Sequence, residues 1–144
     1  MISIKEECIE NINVSNIKLE EEKSKIIFKN PKRYLVKKIK VDGCLDIEGK
    51  RCDYLIRLER RNYLEEHFIE LKGHDIYYAK EQLVNSIKRL GENSNFRQSY
   101  IIAARVPLAS PQIQNWKLEF RGKYKSKLIV KESPFFTTFN IDNQ

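Results

Sequence analysis

Between residues 68 and 73 the chain reads Phe-Ile-Glu-Leu-Lys-Gly. Side chains alternate along an extended strand, so Ile69 and Leu71 point to one face and Phe68, Glu70 and Lys72 to the other. A strand that is otherwise apolar therefore sets a carboxylate beside an ammonium on one face and then meets Gly73. The preceding apolar segment, residues 51–58, has the same period: Cys52, Tyr54 and Ile56 are expected toward a core, with Asp53, Leu55 and Arg57 facing away. Residues 35–47 suit either helix or strand. Their β-branched content and the Glu-Gly-Lys turn at 48–50 favour the first arm of a hairpin whose second arm is 51–58.

The period changes after Gly73. Asp75 is placed to cap a helix over residues 76–90 that ends at Gly91, and Ile76, Ala79, Leu83, Ile87 and Leu90 recur at helical spacing as its buried stripe. Tyr78, Gln82, Asn85 and Arg89 fall on a neighbouring polar face. Residues 99–106 form a nearly continuous apolar run, as expected of a strand covered on both faces and returned parallel by a helical crossover. Ser110 and Pro111 predict the start of a second helix, and residues 127–132 a last strand. Residues 3–28 are polar and lean toward helix, although Ile12, Val14, Ile17 and Leu19 are too irregular to fix a period, and residues 59–66 read as a polar loop. Hairpin, strand, helix, strand, helix and strand together predict an α/β fold, with a mixed central β-sheet flanked by helices.

A chain of 144 residues with no repeat, linker or low-complexity tract is expected to form one domain spanning residues 1–144. The charged first ten residues suggest no secretory signal, and the longest aliphatic run, residues 101–104, is too short to span a bilayer, so no membrane partner is expected. Three cysteines, Cys8, Cys44 and Cys52, are odd in number and lack a CxxC spacing. That argues against a zinc site or a disulfide framework, makes Cys44 and Cys52 small buried apolar groups, and makes a reducing, cytoplasmic location the default.

The net charge of +7 is unevenly distributed. Residues 23–40 hold eight bases and no acid, residues 117–131 six bases and one acid, and residues 42–75 nine acids against six bases. Basic runs alone read as solvated faces; around an acidic centre they also suit a protein that holds a cation and grips a polyanion.

Asp53 and Glu70 interrupt consecutive strands, and if those strands pair, the two carboxylates and Lys72 share a face. Phosphodiester hydrolysis uses such a set. Mg²⁺ takes hard oxygen ligands, keeps several waters, and needs only one or two carboxylates plus substrate phosphate. A neighbouring lysine can orient the water or stabilise transition-state charge.

Asp53, then Glu70-Leu71-Lys72 on the next strand, then a helix with Ala79 and Gln82-Leu83, resembles the PD-(D/E)xK nuclease superfamily over residues 41–106. The resemblance implies a restriction-endonuclease-like core and a metal-dependent endonuclease of restriction, anti-phage, resolvase or repair type. It also implies DNA as substrate ahead of RNA, Mg²⁺ or Mn²⁺ as cofactor, and a homodimer or larger nuclease complex. Carried over residue by residue, Asp53, Glu70 and the Leu71 carbonyl would hold the metal. Lys72 would be the catalytic lysine, and Gln82 would orient metal-bound water or DNA. Cys52 stands where the superfamily's name has proline. A further glutamate from an early helix is common in the superfamily, and Glu20, Glu21 and Glu22 are equal candidates.

Lys32, Arg33, Lys37, Lys38, Arg121, Lys123 and Lys125 then become candidate phosphate contacts. Tyr77, Tyr78 and Phe96 can stack on unpaired bases or simply pack, and Tyr77 is expected to pack. Trp116, Phe135, Phe136 and Phe139 read as core, and Asp42 and Asp46 as turn formers. His67 and His74 flank the strand as exposed neighbours or proton carriers. Two rival readings remain: a catalytically inactive nuclease-fold subunit for nucleic-acid binding or assembly, and a surface salt bridge on an unrelated α/β domain.

Overall fold

The computed structural model describes residues 3–72, 75–106 and 110–143. Six strands form a mixed sheet in the order β1 (Ile9–Ile12), β4 (Val36–Lys40), β5 (Tyr54–Arg60), β6 (Tyr63–Lys72), β7 (Phe96–Ala103), β8 (Lys127–Glu132). The β1–β4, β4–β5 and β5–β6 pairs are antiparallel, and β6–β7–β8 is parallel. Helices α1 (Tyr77–Leu90) and α2 (Pro111–Tyr124) provide the two crossovers. The fold is therefore α/β with a mixed central sheet, as the periodicity predicts.

A second sheet, β2 (Asn16–Glu21), β3 (Ser24–Lys29) and β9 (Phe135–Thr138), covers the other face. Ile17, Leu19, Ile26 and Phe28 from it are buried against Ile56, Ile69, Leu71, Tyr100 and Ile102 of the large sheet. On the helix side, Phe68, Leu55 and Ile101 meet Ile76, Ala79, Leu83, Ile87, Leu90, Ile113, Trp116 and Phe120. The five predicted stripe residues of α1 are all buried. Each fully buried Leu or Ile contributes about 1.5–3 kcal/mol, enough to seat the helix on the sheet.

Several expectations are corrected. The N-terminal segment is strand rather than helix, because Ile17 and Leu19 on β2 and Ile26 and Phe28 on β3 alternate buried with more exposed neighbours, a period of two. The β2–β3 connection is a two-residue turn, with Glu22 at φ 47° and Lys23 at φ 68°, the backbone of a tight hairpin. Strand β9 was not expected. Of the C-terminal phenylalanines, Phe139 is core, Phe135 is half-buried and Phe136 is exposed. The hairpin of β4 and β5 exists, but residues 41–53 form its connection, not a turn at 48–50. Strand β5 is buried on both faces, so Leu55 and Arg57 do not point to solvent. Strand β7 begins and ends three residues earlier than expected.

Residues 59–66 are not a loop: β5 runs to Arg60 and β6 starts at Tyr63. That puts Glu65, Glu66 and His67 fully inside the protein. Glu66 accepts from Arg57 Nε (3.1 Å) and from Arg97 Nε and Nη2 (3.1 and 3.0 Å). Glu65 accepts from the Tyr63 hydroxyl (2.6 Å) and from the backbone amides of Asn140 and Ile141 (2.6 and 3.1 Å). His67 lies between Glu65 (2.7 Å) and the Tyr100 hydroxyl (2.8 Å), a buried structural histidine rather than an exposed neighbour. Buried charges persist only when paired and hydrogen-bonded, and these are.

Cys8 and Cys44 form a disulfide across a sequence separation of 36, against the expectation of none; Cys52 is free and buried as expected. The pairing withdraws the support that the cysteine count lent to a reducing cytoplasm. Among the described residues no helix is long and apolar enough to cross a membrane.

Candidate active site

Asp53 is the last residue before β5, and its position is held by backbone. Its N–H donates to Ile69 O (3.1 Å), and its carbonyl accepts from Val41 N–H (3.0 Å). Its side chain turns toward β6, where Oδ2 accepts from Leu71 N–H at 2.8 Å. Glu70 reaches back: its Oε1 accepts from Asp53 N–H at 3.0 Å, and its Oε2 lies 3.2 Å from Lys72 Nζ. The alternation of β6 sends Glu70 and Lys72 to one face while Ile69 and Leu71 enter the core between the sheets. The three side chains are thus brought together at the end of β6, with Glu70 2% exposed and the Lys72 side chain 17% exposed.

Two carboxylates this close in a dry setting resist ionisation. Burial, then the charge of Asp53, pushes Glu70 up to about 8 despite the opposing Lys72 ammonium. Asp53 is also raised, chiefly by burial, although the Leu71 amide opposes this. Such a site gains from a cation.

The tip of the β2–β3 hairpin forms one rim. Ser24 Oγ donates to the Lys72 carbonyl at 2.5 Å. Glu21 pairs with Lys40 (3.0 Å), and the charges of both act on Asp53. Of the three candidate glutamates, Glu21 is therefore the one beside the site. Glu20 pairs with Lys18 (3.2 Å) and Glu22 is exposed in the turn. The carrier is a strand end, not an early helix. Among the described residues, no group of three or more His, Cys, Asp or Glu side chains is placed to hold a metal ion.

Gln82 on α1 is buried, and its Nε2 donates to Arg51 O (3.0 Å), two residues before Asp53. Its Oε1 is buried with no partner among the described residues, an acceptor that calls for a donor such as water. Leu71 is 1% exposed. Gly73 and His74 lie outside the described residues.

The proposed phosphate contacts are not gathered round the carboxylates. Arg57, paired with Lys37 across the β4–β5 ladder, and Glu66 mark the end of the sheet opposite Glu70. Lys37 pairs there with Glu59 (3.4 Å), and Lys32 and Arg33 lie in the exposed turn before β4. Arg97 binds the Tyr124 carbonyl at that same end, so Arg121, Lys123 and Lys125, exposed at the close of α2, also lie far from the site. Lys38 pairs with Glu10 (3.8 Å) midway along β4. The lysines the structure does bring close are Lys40 and Lys50, which sequence reasoning passed over. Lys50 Nζ lies 4.4 Å from the Tyr78 ring centre, and Lys72 Nζ 5.3 Å from the same ring. The only signal for Lys40 was its place at the end of a strand, before the Asp42-Gly43 turn.

No family model, curated protein or solved structure matches the chain.

Proposed function

We propose that this chain is a Mg²⁺-dependent nuclease that hydrolyses phosphodiester bonds in DNA, with Mn²⁺ able to replace Mg²⁺, on a restriction-endonuclease-like core. The observation that carries this reading is the contact of Asp53, Glu70 and Lys72 at one strand end, two carboxylates fixed by backbone amides and one ammonium 3.2 Å away. Two carboxylates fit Mg²⁺, which binds proteins through one or two of them and takes its other ligands from water and phosphate. Asp53, Glu70 and the Leu71 carbonyl would hold the ion. When bound, the ion polarises the scissile phosphate and acidifies a coordinated water.

The chain's own groups supply the rest. Lys72 orients the attacking water and offsets negative charge growing on the phosphoryl oxygens. Gln82 offers its orphaned Oε1 to that water's hydrogen. Glu21 and Lys40 set the field around Asp53 from the opposite rim. Cutting both strands of a duplex needs two sites, which a homodimer or a larger nuclease complex would supply.

The test is incubation with plasmid, branched and single-stranded DNA in Mg²⁺, Mn²⁺ or chelator, with Asp53→Ala and Lys72→Ala proteins in parallel. The native protein is expected to cut only with metal, and neither variant to cut. Equal cutting by all three would trace the activity to a contaminant and defeat the proposal. Metal and DNA binding without cutting would favour the second reading, an inactive nuclease-fold binding or assembly subunit.

A further inference from the structure

The first turn of α1 presents two tyrosines to solvent, Tyr77 at 52% and Tyr78 at 47% exposure, although the helix has a well-buried stripe. Large aromatic rings left in solvent lose the burial that normally stabilises them, and two in succession beside a strand end mark a surface with a use. Tyr78 is the more informative. Its ring has the ammonium groups of Lys50 and Lys72 at 4.4 and 5.3 Å from its centre, and Lys72 is the lysine in contact with Glu70. One aromatic face therefore adjoins the carboxylate pair through a shared cation.

Two clefts meet at this ring. One, of about 430 Å³, is lined by Asp42, Gly49, Lys50, Arg51, Tyr78 and Gln82. The other, of about 420 Å³, adds Tyr77, Lys80, Gln112 and Trp116. Three acids line them: Glu81 pairs with Lys50, Asp42 pairs with Arg51 at 3.5 Å, and the exposed Asp75 accepts from the Tyr77 amide at 3.2 Å. Trp116 forms the floor, edge-on to Tyr77 at 5.7 Å, with Lys80 Nζ 5.9 Å from its ring. Aromatic rings interleaved with lysines along a groove match single-stranded nucleic acid, in which each nucleotide offers a flat face to stack and a phosphate to neutralise. A base pair inside a duplex has both faces covered by its neighbours and cannot use such a ring.

We propose that Tyr78 is a stacking platform for an unpaired deoxynucleotide, with Lys50 and Lys72 on the adjoining phosphates, so that the preferred substrate of this site is single-stranded DNA. This rests on the nuclease reading for the act of cutting but not for binding. Neither phosphate contact requires a new lysine. As the base takes the ring, the two ammonium groups exchange their Glu81 and Glu70 partners for phosphate.

The experiment measures binding of the full chain to a fluorescent oligothymidine and to a blunt duplex of equal length, in chelator at fixed low salt. Native protein, Tyr78→Ala and Tyr78→Phe are compared, with thermal melts to check folding. Loss of the stacking ring is expected to weaken oligothymidine binding by about 5- to 150-fold, the range for one base–aromatic stack. The phenylalanine variant, which keeps the ring, is expected to bind as the native protein does, and duplex affinity is expected to be weaker and unchanged by either substitution. Equal affinity of native and Tyr78→Ala protein for oligothymidine, or duplex bound as tightly as the single strand, overturns the proposal. Because binding is read in chelator, ring-dependent binding by a protein that fails to cut DNA in Mg²⁺ or Mn²⁺ would refute the nuclease reading and leave this one standing. Cutting of duplex and single strand alike, indifferent to Tyr78→Ala, would do the reverse.

Discussion

Replacing Glu70 with glutamine removes an ionisable group that the fold holds against its nature. The carboxyl goes from an ordinary value of 4.5 to about 8, because it is buried beside the Asp53 carboxylate. The folded protein therefore keeps a proton that the unfolded chain has released. Stability from this group is fully present below about pH 4.5 and is lost as pH rises toward 8. A gap of about 3.5 units at ~1.36 kcal/mol each is about 5 kcal/mol over the whole titration, and about 3 kcal/mol of it is gone by pH 7. Asp53, raised for the same chief reason, adds to the loss in the same direction. Glutamine keeps an oxygen for the Asp53 amide and carries no charge. In chelator, Glu70→Gln should thus be the more stable protein at pH 8, by several kcal/mol, with the two converging near pH 5. Urea unfolding followed through Trp116, the single tryptophan and a buried one, reads this directly. Mg²⁺ should narrow the gap at pH 8 by stabilising the native protein alone. Parallel pH profiles for the two proteins in chelator would show that Glu70 ionises without penalty, and the electrostatic account of the site would fall.

Other outcomes are expected of the frame that carries the site. Glu66→Gln leaves the Arg57 and Arg97 guanidinium groups facing each other without their shared carboxylate, and should cost about 3–5 kcal/mol in denaturant unfolding. Cys8→Ser with Cys44→Ser opens a loop of 36 residues and should lower unfolding free energy by about 4 kcal/mol; an equal midpoint for native protein with and without reductant would count against the pairing. At Glu65, burial alone would raise the carboxyl, but the hydrogen bonds from His67, Tyr63 and Asn140 outweigh it and hold the value below 4.5. Its contribution is present above the ordinary value and is lost as pH falls through the lowered one, so Glu65→Gln should flatten the acid limb of stability. The same change should raise hydrogen-exchange rates at the Asn140 and Ile141 amides.

On α1 and β6 the buried period was readable without coordinates, whereas on β2 and β3 a period of two carried by only two or three buried positions per strand was not legible. The stripe of Ile76, Ala79, Leu83, Ile87 and Leu90 located α1. The Ser110-Pro111 start of α2 was equally legible, since the Ser110 hydroxyl accepts from the Gln112 amide. Alternation around Glu70 told which residues of β6 share a face, and so why Glu70 and Lys72 stand together. The nearness of Asp53 could be expected only if two strands paired, and the Tyr54–Ile69 register supplies that pairing.

Other features had no local signature. Glu65 and Glu66 look like solvent-exposed loop residues until Arg57, Arg97, His67 and the backbone at residues 140 and 141 arrive from distant parts of the chain. Glu21 and Glu20 are adjacent in a run of three acids, and only the hairpin bend puts Glu21 beside Lys40 and the site. Cys8 and Cys44 pair because the fold closes a sequence separation of 36. Local order was legible because a buried face repeats every two or nearly four residues and leaves that repeat in the amino acids themselves. Which charges meet, which glutamate lines the site and which lysines approach it depend on contacts between remote segments, and a charge has no period to betray its partner.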